Sequence, residues 1–474
     1  MTPTRRAWIQ LASGAGIGRV LGLASNLLLS RWLGPTQLGL FNLVTTAVQT
    51  SDTLVRCGGD YALNYELGGL HNSTQTERGA ELARGLTQLC SVTSLLICIA
   101  VTVWVWCGQA LFPTSLDANE RFPLSILLLL MIACEGISAS AWEVLLVSYR
   151  TAELALRQGL FFPLRLLFAA VGALLGGVLG AMSGWSVIAF IQCLWLRRAL
   201  GNLWNPLNLF PFRKSSISQL LRRGMPFYAA NLLSSIIFYP LLLEVASSSG
   251  LAEIGYLRVG QILQQLFAFL PATLVPILFL KLRGESNFPS QILLMEKPLR
   301  TIWLLLLGVL LLYCMVDKSL IALAFGTGFL SAVLPTRLLL LTALLECLAQ
   351  LVVQPFLASG KSHIYGIYQN GSAILAAALG WILIPKAGLG AYLFIRLLYV
   401  LLPLIGLSWT FANHLREPQK MFSLAFITLS LAGLLSTQLI FPHLPDWLNH
   451  TIYLSMTISV LCQSLQIKSM LQND

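Results

Sequence analysis

Seven polar residues recur every three or four positions along one apolar stretch of the chain, from Phe41 to Glu66. This spacing places them on one face of a helix. A charged group at bilayer depth costs roughly 2.5 to 3.5 kcal/mol on insertion scales, so such groups persist where they face a polar cavity or a partner. The residues of this polar stripe are Asn42, Thr45, Gln49, Asp52, Arg56, Asp60 and Asn64. The stripe predicts a membrane protein that moves a polar solute.

Arginines in the apolar stretches suit the binding of an anion. Arg19 lies in the middle of the first stretch, and Arg56 lies one helical turn from both Asp52 and Asp60. One interpretation of Arg56 is an ion pair that serves only membrane insertion. The other is a cationic cavity for an anionic head group such as a diphosphate, because guanidinium stays charged when dehydrated and binds phosphate oxygens through paired hydrogen bonds. The arginines of that predicted cavity are Arg19, Arg56, Arg165, Arg258 and Arg396. Arg165 and Arg396 could instead extend to the membrane interface.

Acidic residues in two other apolar stretches leave a second role open. Glu135 and Glu143 share one predicted helix, and Glu346 begins a polar stripe with Gln350 and Gln354 on another. Glu135 and Glu346 could bind a coupling cation, either a proton or sodium, because burial makes a carboxyl group easier to protonate. They could equally pair with the arginines or with neighbouring helices. No other cofactor is expected, since the nine cysteines form no C-x-x-C pair and the five histidines lie in loops or at helix ends.

Composition predicts the elements that position these groups. The chain has 474 residues, of which 56% are hydrophobic and 10% are charged, with a mean hydropathy of +0.76. Runs of about 20 apolar residues indicate an all-α polytopic membrane protein. We expect about fourteen spans, centred near residues 20, 53, 98, 135, 168, 190, 235, 267, 310, 344, 374, 400, 431 and 458. The fifth and sixth spans are separated only at Gly180 to Gly184.

The distribution of Lys and Arg predicts the orientation. With a cytoplasmic N-terminus, twenty basic residues fall in cytoplasmic segments and six in outer ones. This asymmetry follows the positive-inside rule and favours an even number of spans with both termini in the cytoplasm. It also accounts for the net charge of +11, so no nucleic acid partner is expected.

A shift of 216 residues reveals an internal repeat. It matches Gly34 with Gly250 and Gly39 with Gly255, and it aligns the start of the polar stripe, Asn42, with Arg258. The repeat predicts two lobes of six helices, residues 1–200 and 225–415, followed by C-terminal helices in residues 416–474. Between the lobes, residues 201–224 form a basic cytoplasmic linker, which either binds anionic membrane lipids or acts only as a topology signal.

Glycines spaced four apart predict close helix packing. Gly14, Gly18 and Gly22 superficially resemble a phosphate-binding loop, but such a loop needs a preceding strand in a soluble βαβ unit. The small-residue spacing instead allows two membrane helices to approach closely. Gly172, Gly176 and Gly180 repeat the pattern in the fifth span.

The run from Arg19 to Gly22 and the run from Arg31 to Phe41, followed by the polar stripe, resemble the N-terminal signature of the multidrug/oligosaccharidyl-lipid/polysaccharide (MOP) flippase superfamily. The polysaccharide (Wzx-type) flippases are the most similar branch. The resemblance covers residues 15 to 67 and returns at residues 250 to 276.

The resemblance implies two six-helix lobes around a central cavity, alternating access, and an undecaprenyl-diphosphate-linked oligosaccharide as substrate. It further implies the bacterial inner membrane as location and other polysaccharide-assembly proteins as partners. The lipid II flippases of the superfamily carry functional arginines that correspond by position to Arg19, Arg31, Arg56 and Arg258. The run Ala24-Ser25-Asn26 departs from the acidic residue common in that branch, which favours O-unit or exopolysaccharide repeat units over lipid II.

The sequence leaves two other functions open. A multidrug cation antiporter would use an acidic site, for which Asp52 and Asp60 are candidates. A repeat-unit polymerase or ligase is less favoured because no predicted outer loop exceeds roughly 20 residues, and we expect that the chain is not an enzyme.

Overall fold

The computed structural model describes residues 3–67, 77–106, 118–148, 150–206, 213–267, 275, 278, 281–282, 285 and 287–412. Throughout these residues the fold is helical and contains no strand. The predicted spans centred near 431 and 458, residues 207–212 of the predicted linker and the side chain of Asn64 lie outside the described residues.

The chain divides into two compact units, Met1–Gly255 and Tyr256–Asp474. The helices that begin in the first unit are α1 (Pro3–Arg56), α2 (Gly59–Leu67), α3 (Glu77–Trp106), α4 (Ala118–Val147), α5 (Thr151–Leu156), α6 (Phe162–Leu200), α7 (Lys214–Ser249) and α8 (Leu251–Phe267). A π-helical turn, Arg157–Phe161, joins α5 to α6, and a short 3-10 turn, Gly201–Leu203, follows α6. Helix α1 packs mainly against α6, and α4 packs between α3 and α6.

The second unit continues with α9 (Phe288–Ala324), a 3-10 turn (Thr327–Ala332), α10 (Val333–Val352), α11 (Gln354–Ala358) and α12 (Ser362–Ala412). Helix α10 packs against both α9 and α12. Most of α10 is buried, including Leu339, Leu341 and Leu344. The core of the second unit therefore forms around this helix.

Seven helical segments of the described chain are long and apolar enough to cross a membrane. Large apolar side chains such as Leu175 and Leu323 lie exposed on them, as expected for surfaces that contact lipid rather than water. The predicted all-α polytopic membrane fold is confirmed, and the protein is a multi-pass membrane protein.

Sharp breaks divide three of the longest helices into two arms each. They occur at Gly34 in α1, at Gly176 and Gly177 in α6, and at Gly388 in α12. The predicted division of the fifth and sixth spans at Gly180 to Gly184 was therefore wrong. Gly180 lies within the second arm of α6, where a Cβ would overlap the carbonyl oxygen of Gly172 in the first arm. This glycine serves the close packing of the two arms, and the turn comes before it.

The sequence predicted that the polar stripe lies on one continuous helix, but in the structure that helix is broken. The helix breaks at Cys57 and Gly58, which have φ values of 47° and 73°. Such values suit glycine but strain cysteine. The carbonyl oxygens released by the break are satisfied from neighbouring helices: the Tyr228 hydroxyl donates to Leu54 at 3.2 Å, and Thr93 donates to Val55 at 2.8 Å. The helix break is thus held in place by specific hydrogen bonds.

The two turns matched by the repeat have equivalent conformations. Gly34 and Gly250 have φ values of 66° and 91°, in the region that only glycine enters readily. A Cβ on Gly39 would overlap the carbonyl of Leu251, and a Cβ on Gly255 would overlap the carbonyl of Pro35. Positions 35 and 251 are themselves matched by the shift of 216, so the contact is reciprocal within the first unit.

The segment predicted as a basic linker is largely built into the first unit. Trp204 is completely buried and donates from Nε1 to the Ser140 hydroxyl at 2.9 Å. Residues 214–224 are the first turns of α7, which packs against α2 and α3. The predicted lobe boundaries at residues 200, 225 and 415 stay predictions.

Candidate functional site

A cavity of about 260 Å³ lies within the first unit between α1, α4 and the π-helical turn that leads into α6. Among the described residues, its wall contains three arginines and no acidic residue. Its lining residues are Gly18, Arg19, Trp142, Arg157, Gln158, Phe162 and Arg165. Arg19 and Arg165 belong to the cationic cavity predicted from the sequence, and Arg157 is new.

The glycines of α1 bring this helix against the wall of the cavity. A Cβ on Gly14 would overlap Ala155, and one on Gly18 would overlap the carbonyl oxygen of Gln158. One turn further on, a Cβ on Gly22 would lie 3.0 Å from the ring of Phe162. This close approach is the small-residue packing that the spacing predicted, and it carries Arg19 to the cavity beside Gly18.

The π-helical turn places Arg157 and Gln158 in the wall. The amide of Phe162 donates to the carbonyl of Arg157, five residues earlier. Pro163 follows and has no amide hydrogen to donate to the carbonyl of Gly159, so the regular helical pattern cannot continue there. Such π-helical turns are frequent at functional sites.

Aromatic rings hold two of the arginines. The guanidinium of Arg157 lies 5.4 Å from the ring centre of Trp142, and that of Arg165 lies 5.5 Å from the ring centre of Trp185. Arg165 also forms an ion pair with Glu135. In the part of the chain that the structure describes, Nε of Arg157 and Nε of Arg165 are buried without a hydrogen-bond acceptor. Buried donors without an acceptor indicate a place for a ligand or water.

Arg56 lies outside the wall of this cavity, in a group of three carboxylates. Its guanidinium is 2.7 Å from Asp52, 3.7 Å from Asp60 and 3.9 Å from Glu143. The Asp52 contact is the one expected from the helical spacing, the Asp60 contact crosses the break at Cys57 and Gly58, and Glu143 reaches Arg56 from α4. One cation faces three acidic groups, so the Arg56 guanidinium already forms ion pairs within the protein.

No family model and no curated protein matches the chain. Solved structures do match it over nearly their full lengths. The lipid II flippase MurJ, in an inward closed conformation, has a TM-score of 0.72 at 12% identity, covering 98% of this chain and 99% of MurJ. A MOP superfamily transporter from Pyrococcus furiosus has a TM-score of 0.58 at 17% identity, covering 87% of this chain and 96% of its own. A multidrug resistance MATE family transporter in an outward-facing conformation has a TM-score of 0.56 at 17% identity, covering 85% of this chain and 94% of its own.

The chain has the MOP transporter fold. At these identities the likeness concerns the fold alone.

In the first unit of this MOP fold, three further predicted site residues lie away from the cavity wall. Asn42 is fully buried and donates to the carbonyl of Ile254 at 3.4 Å, a packing contact between α1 and α8. Arg31 and Gln49 are exposed. Their roles in substrate or ion binding stay predictions.

The remaining predicted residues belong to the second unit. Arg258 is buried in α8. Arg396 lies 3.6 Å from Glu346, which also accepts a hydrogen bond from Gln264 at 2.9 Å. Glu346 is therefore paired with an arginine, which is one of the two roles that the sequence left open for it.

Arg157 was missed because it lies near a helix end, where it was counted among the cytoplasmic basic residues. One signal could have found it. Pro163 follows Gly159 by four residues, the spacing at which proline removes a helical hydrogen bond. A local irregularity is therefore expected just after Arg157.

Proposed function

We propose that this protein is a flippase that carries an undecaprenyl-diphosphate-linked oligosaccharide from the cytoplasmic to the outer leaflet of the bacterial inner membrane. The observation that carries the proposal is the cavity of Arg19, Arg157 and Arg165. Three guanidinium groups, of which Glu135 neutralises one in part, match the charge of a diphosphate. The site has no catalytic part in this proposal, and the protein is a transporter rather than an enzyme.

The size of the cavity supports recognition of the head group next to the lipid. At about 260 Å³ it is slightly smaller than pockets that enclose a drug-sized ligand, roughly 300 to 1,000 Å³. It suits a diphosphate, and the remaining sugars would lie outside it. In this mechanism the arginines replace the water around the phosphates, the lipid tail stays in the bilayer, and alternating access exposes the head group outside. Both termini are cytoplasmic, and other polysaccharide-assembly proteins receive the product.

A lipid II flippase is the second candidate, favoured by the full-length structural likeness to MurJ. Lipid II also carries a diphosphate, so the cavity suits either substrate. A multidrug cation antiporter is less favoured, because the cavity wall is cationic and would repel a positively charged drug. The acidic residues that could attract such a drug, Asp52 and Asp60, surround Arg56.

The sidedness of lipid-linked oligosaccharide in a deletion strain tests the proposal. We expect accumulation on the cytoplasmic face, rescued by the wild-type protein and not by Arg19→Ala. The matched control is Arg78→Ala, because the Arg78 side chain is 71% exposed and lies outside the cavity. Equal rescue by the Arg19 and Arg78 variants, at equal amounts in the membrane, would refute a role for the cavity.

A complementation experiment separates the two candidate substrates. In cells depleted of their lipid II flippase, a lipid II transporter restores growth, whereas a repeat-unit flippase restores only glycan export in its own deletion strain. Growth rescue by this protein would assign it to lipid II.

A further inference from the structure

Glu135 holds one of the three cavity arginines. Its Oε1 atom is in contact with Nη1 of Arg165 and accepts a hydrogen bond from Nε1 of Trp185 at 3.3 Å. The two donors come from the two arms of α6, and Glu135 comes from α4. The Glu135 side chain is 14% exposed and that of Arg165 is 9% exposed, so the pair is largely shielded from water. Glu135 therefore takes part of the hydrogen-bonding capacity that a phosphate oxygen would need.

An anion bound to Arg165 conflicts with the charge of this carboxylate. A phosphate oxygen within hydrogen-bond reach of the guanidinium lies a few ångströms from Glu135, in surroundings where water screens little. Protonation of Glu135 removes the repulsion. It also converts one carboxylate oxygen from an acceptor into a donor, which could then bond to the phosphate.

The groups that face Glu135 come from three directions. Arg165 and Trp185 on α6 hold its ionised form, and both Arg157 in the π-helical turn and the Cys193 thiol on α6 lie close enough to interact with it electrostatically. Asp52 on α1 lies close enough to interact electrostatically with both Glu135 and Arg157. Arg165 and Asp52 thus act on the Glu135 carboxylate with opposite signs, and an anion bound to Arg165 and Arg157 offsets the two positive charges that favour its ionised form.

We propose that Glu135 takes up a proton when a diphosphate binds Arg165, so that each substrate enters the cavity together with one proton. This inference rests on the proposed function and assigns the coupling cation to a particular residue. The exchange needs no other co-reactant: the proton comes from water, and the Glu135 to Arg165 ion pair is replaced by a phosphate to Arg165 contact.

Calorimetry of pyrophosphate binding to the purified full-length protein tests the exchange. Titrations in buffers of different ionisation enthalpy count the protons taken up. We expect the wild type to take up about one proton more per pyrophosphate than Glu135→Gln, and its affinity to rise as the pH falls. The Glu135→Gln variant should bind about tenfold tighter or more at high pH, with a difference that shrinks at low pH. Titration of pyrophosphate itself is common to both proteins and cancels in the comparison.

Two further variants test whether the effect is specific to Glu135 and its hydrogen bond to Trp185. Glu153→Gln is the matched control, because Glu153 pairs with Arg150 and lies outside the cavity, and it should behave as the wild type. Trp185→Phe keeps a ring beside Arg165 but removes the indole donor to Glu135, so it should tighten pyrophosphate binding at high pH by a few fold.

Each other outcome overturns one of the proposals. Equal affinity and equal proton uptake in the wild type and Glu135→Gln would overturn the proton exchange and leave the cationic cavity standing. If neither folded protein binds pyrophosphate at any pH, the cationic cavity itself is refuted, and the proposed function loses its support.

Discussion

Replacing Arg157 by alanine should weaken the binding of a diphosphate by about 10- to 150-fold. A hydrogen bond to a charged group contributes about 1.5 to 3 kcal/mol, and each 1.4 kcal/mol corresponds to a tenfold change in affinity. In the described part of the chain no carboxylate lies within ion-pair distance of Arg157, and its guanidinium lies 5.4 Å from the centre of the Trp142 ring. Alanine therefore breaks no direct ion pair within the protein, so we expect the variant to fold and its loss of affinity to report the missing contact with the diphosphate.

Arg157→Lys should fall between alanine and the wild type. It keeps the charge but loses both the planar stacking on Trp142 and the paired hydrogen bonds of a guanidinium. The assay is equilibrium binding of radiolabelled undecaprenyl diphosphate to protein in detergent, followed by glycan export in cells. Arg198→Ala is the control, because Arg198 is exposed near the end of α6. If Arg157→Ala binds as tightly as Arg198→Ala, Arg157 does not contact the diphosphate.

Three further predictions concern stability. Gly18→Ala should destabilise the protein by about 1 to 3 kcal/mol in thermal unfolding, because the new methyl group overlaps a carbonyl of the π-helical turn. The control is Gly16→Ala, whose methyl group meets no atom within 4 Å, so this variant should be neutral or stabilising. Asp317→Ala should lower the free energy of unfolding by about 3 to 5 kcal/mol by leaving buried Arg337 without its ion-pair partner, and replacing both residues by leucine should recover most of the loss. Equal unfolding midpoints for the wild type and Asp317→Ala would contradict this prediction. Tyr228→Phe should cost about 0.5 to 1.5 kcal/mol and speed hydrogen exchange of the amides next to the helix break, whereas unchanged exchange would show that the hydroxyl does not hold it.

Local patterns predicted much of this protein. Apolar runs of membrane length determined the all-helical class, because a chain in lipid must satisfy its backbone hydrogen bonds within helices. The glycines at positions 14, 18 and 22 predicted a close helix contact, and Gly34 and Gly250 predicted equivalent turns. The pairing of Arg56 with Asp52 was also predictable, since residues four apart on a helix are neighbours whatever surrounds them. The contact with Asp60 was expected for the same reason, but in the structure it crosses the break between two helices.

Contacts between distant parts of the chain decided the rest. Arg19 and Arg157 share a cavity although 138 positions separate them, and no periodicity in either helix indicates which helices will be adjacent. Tertiary packing likewise brought Glu143 to Arg56 and gave Arg165 a carboxylate partner in Glu135. It also located the break in the polar helix, because the carbonyls freed there are stabilised by hydroxyl groups from α3 and α7. A sequence pattern thus predicts which face of a helix is polar, whereas the packing of the other helices determines which charges meet on that face.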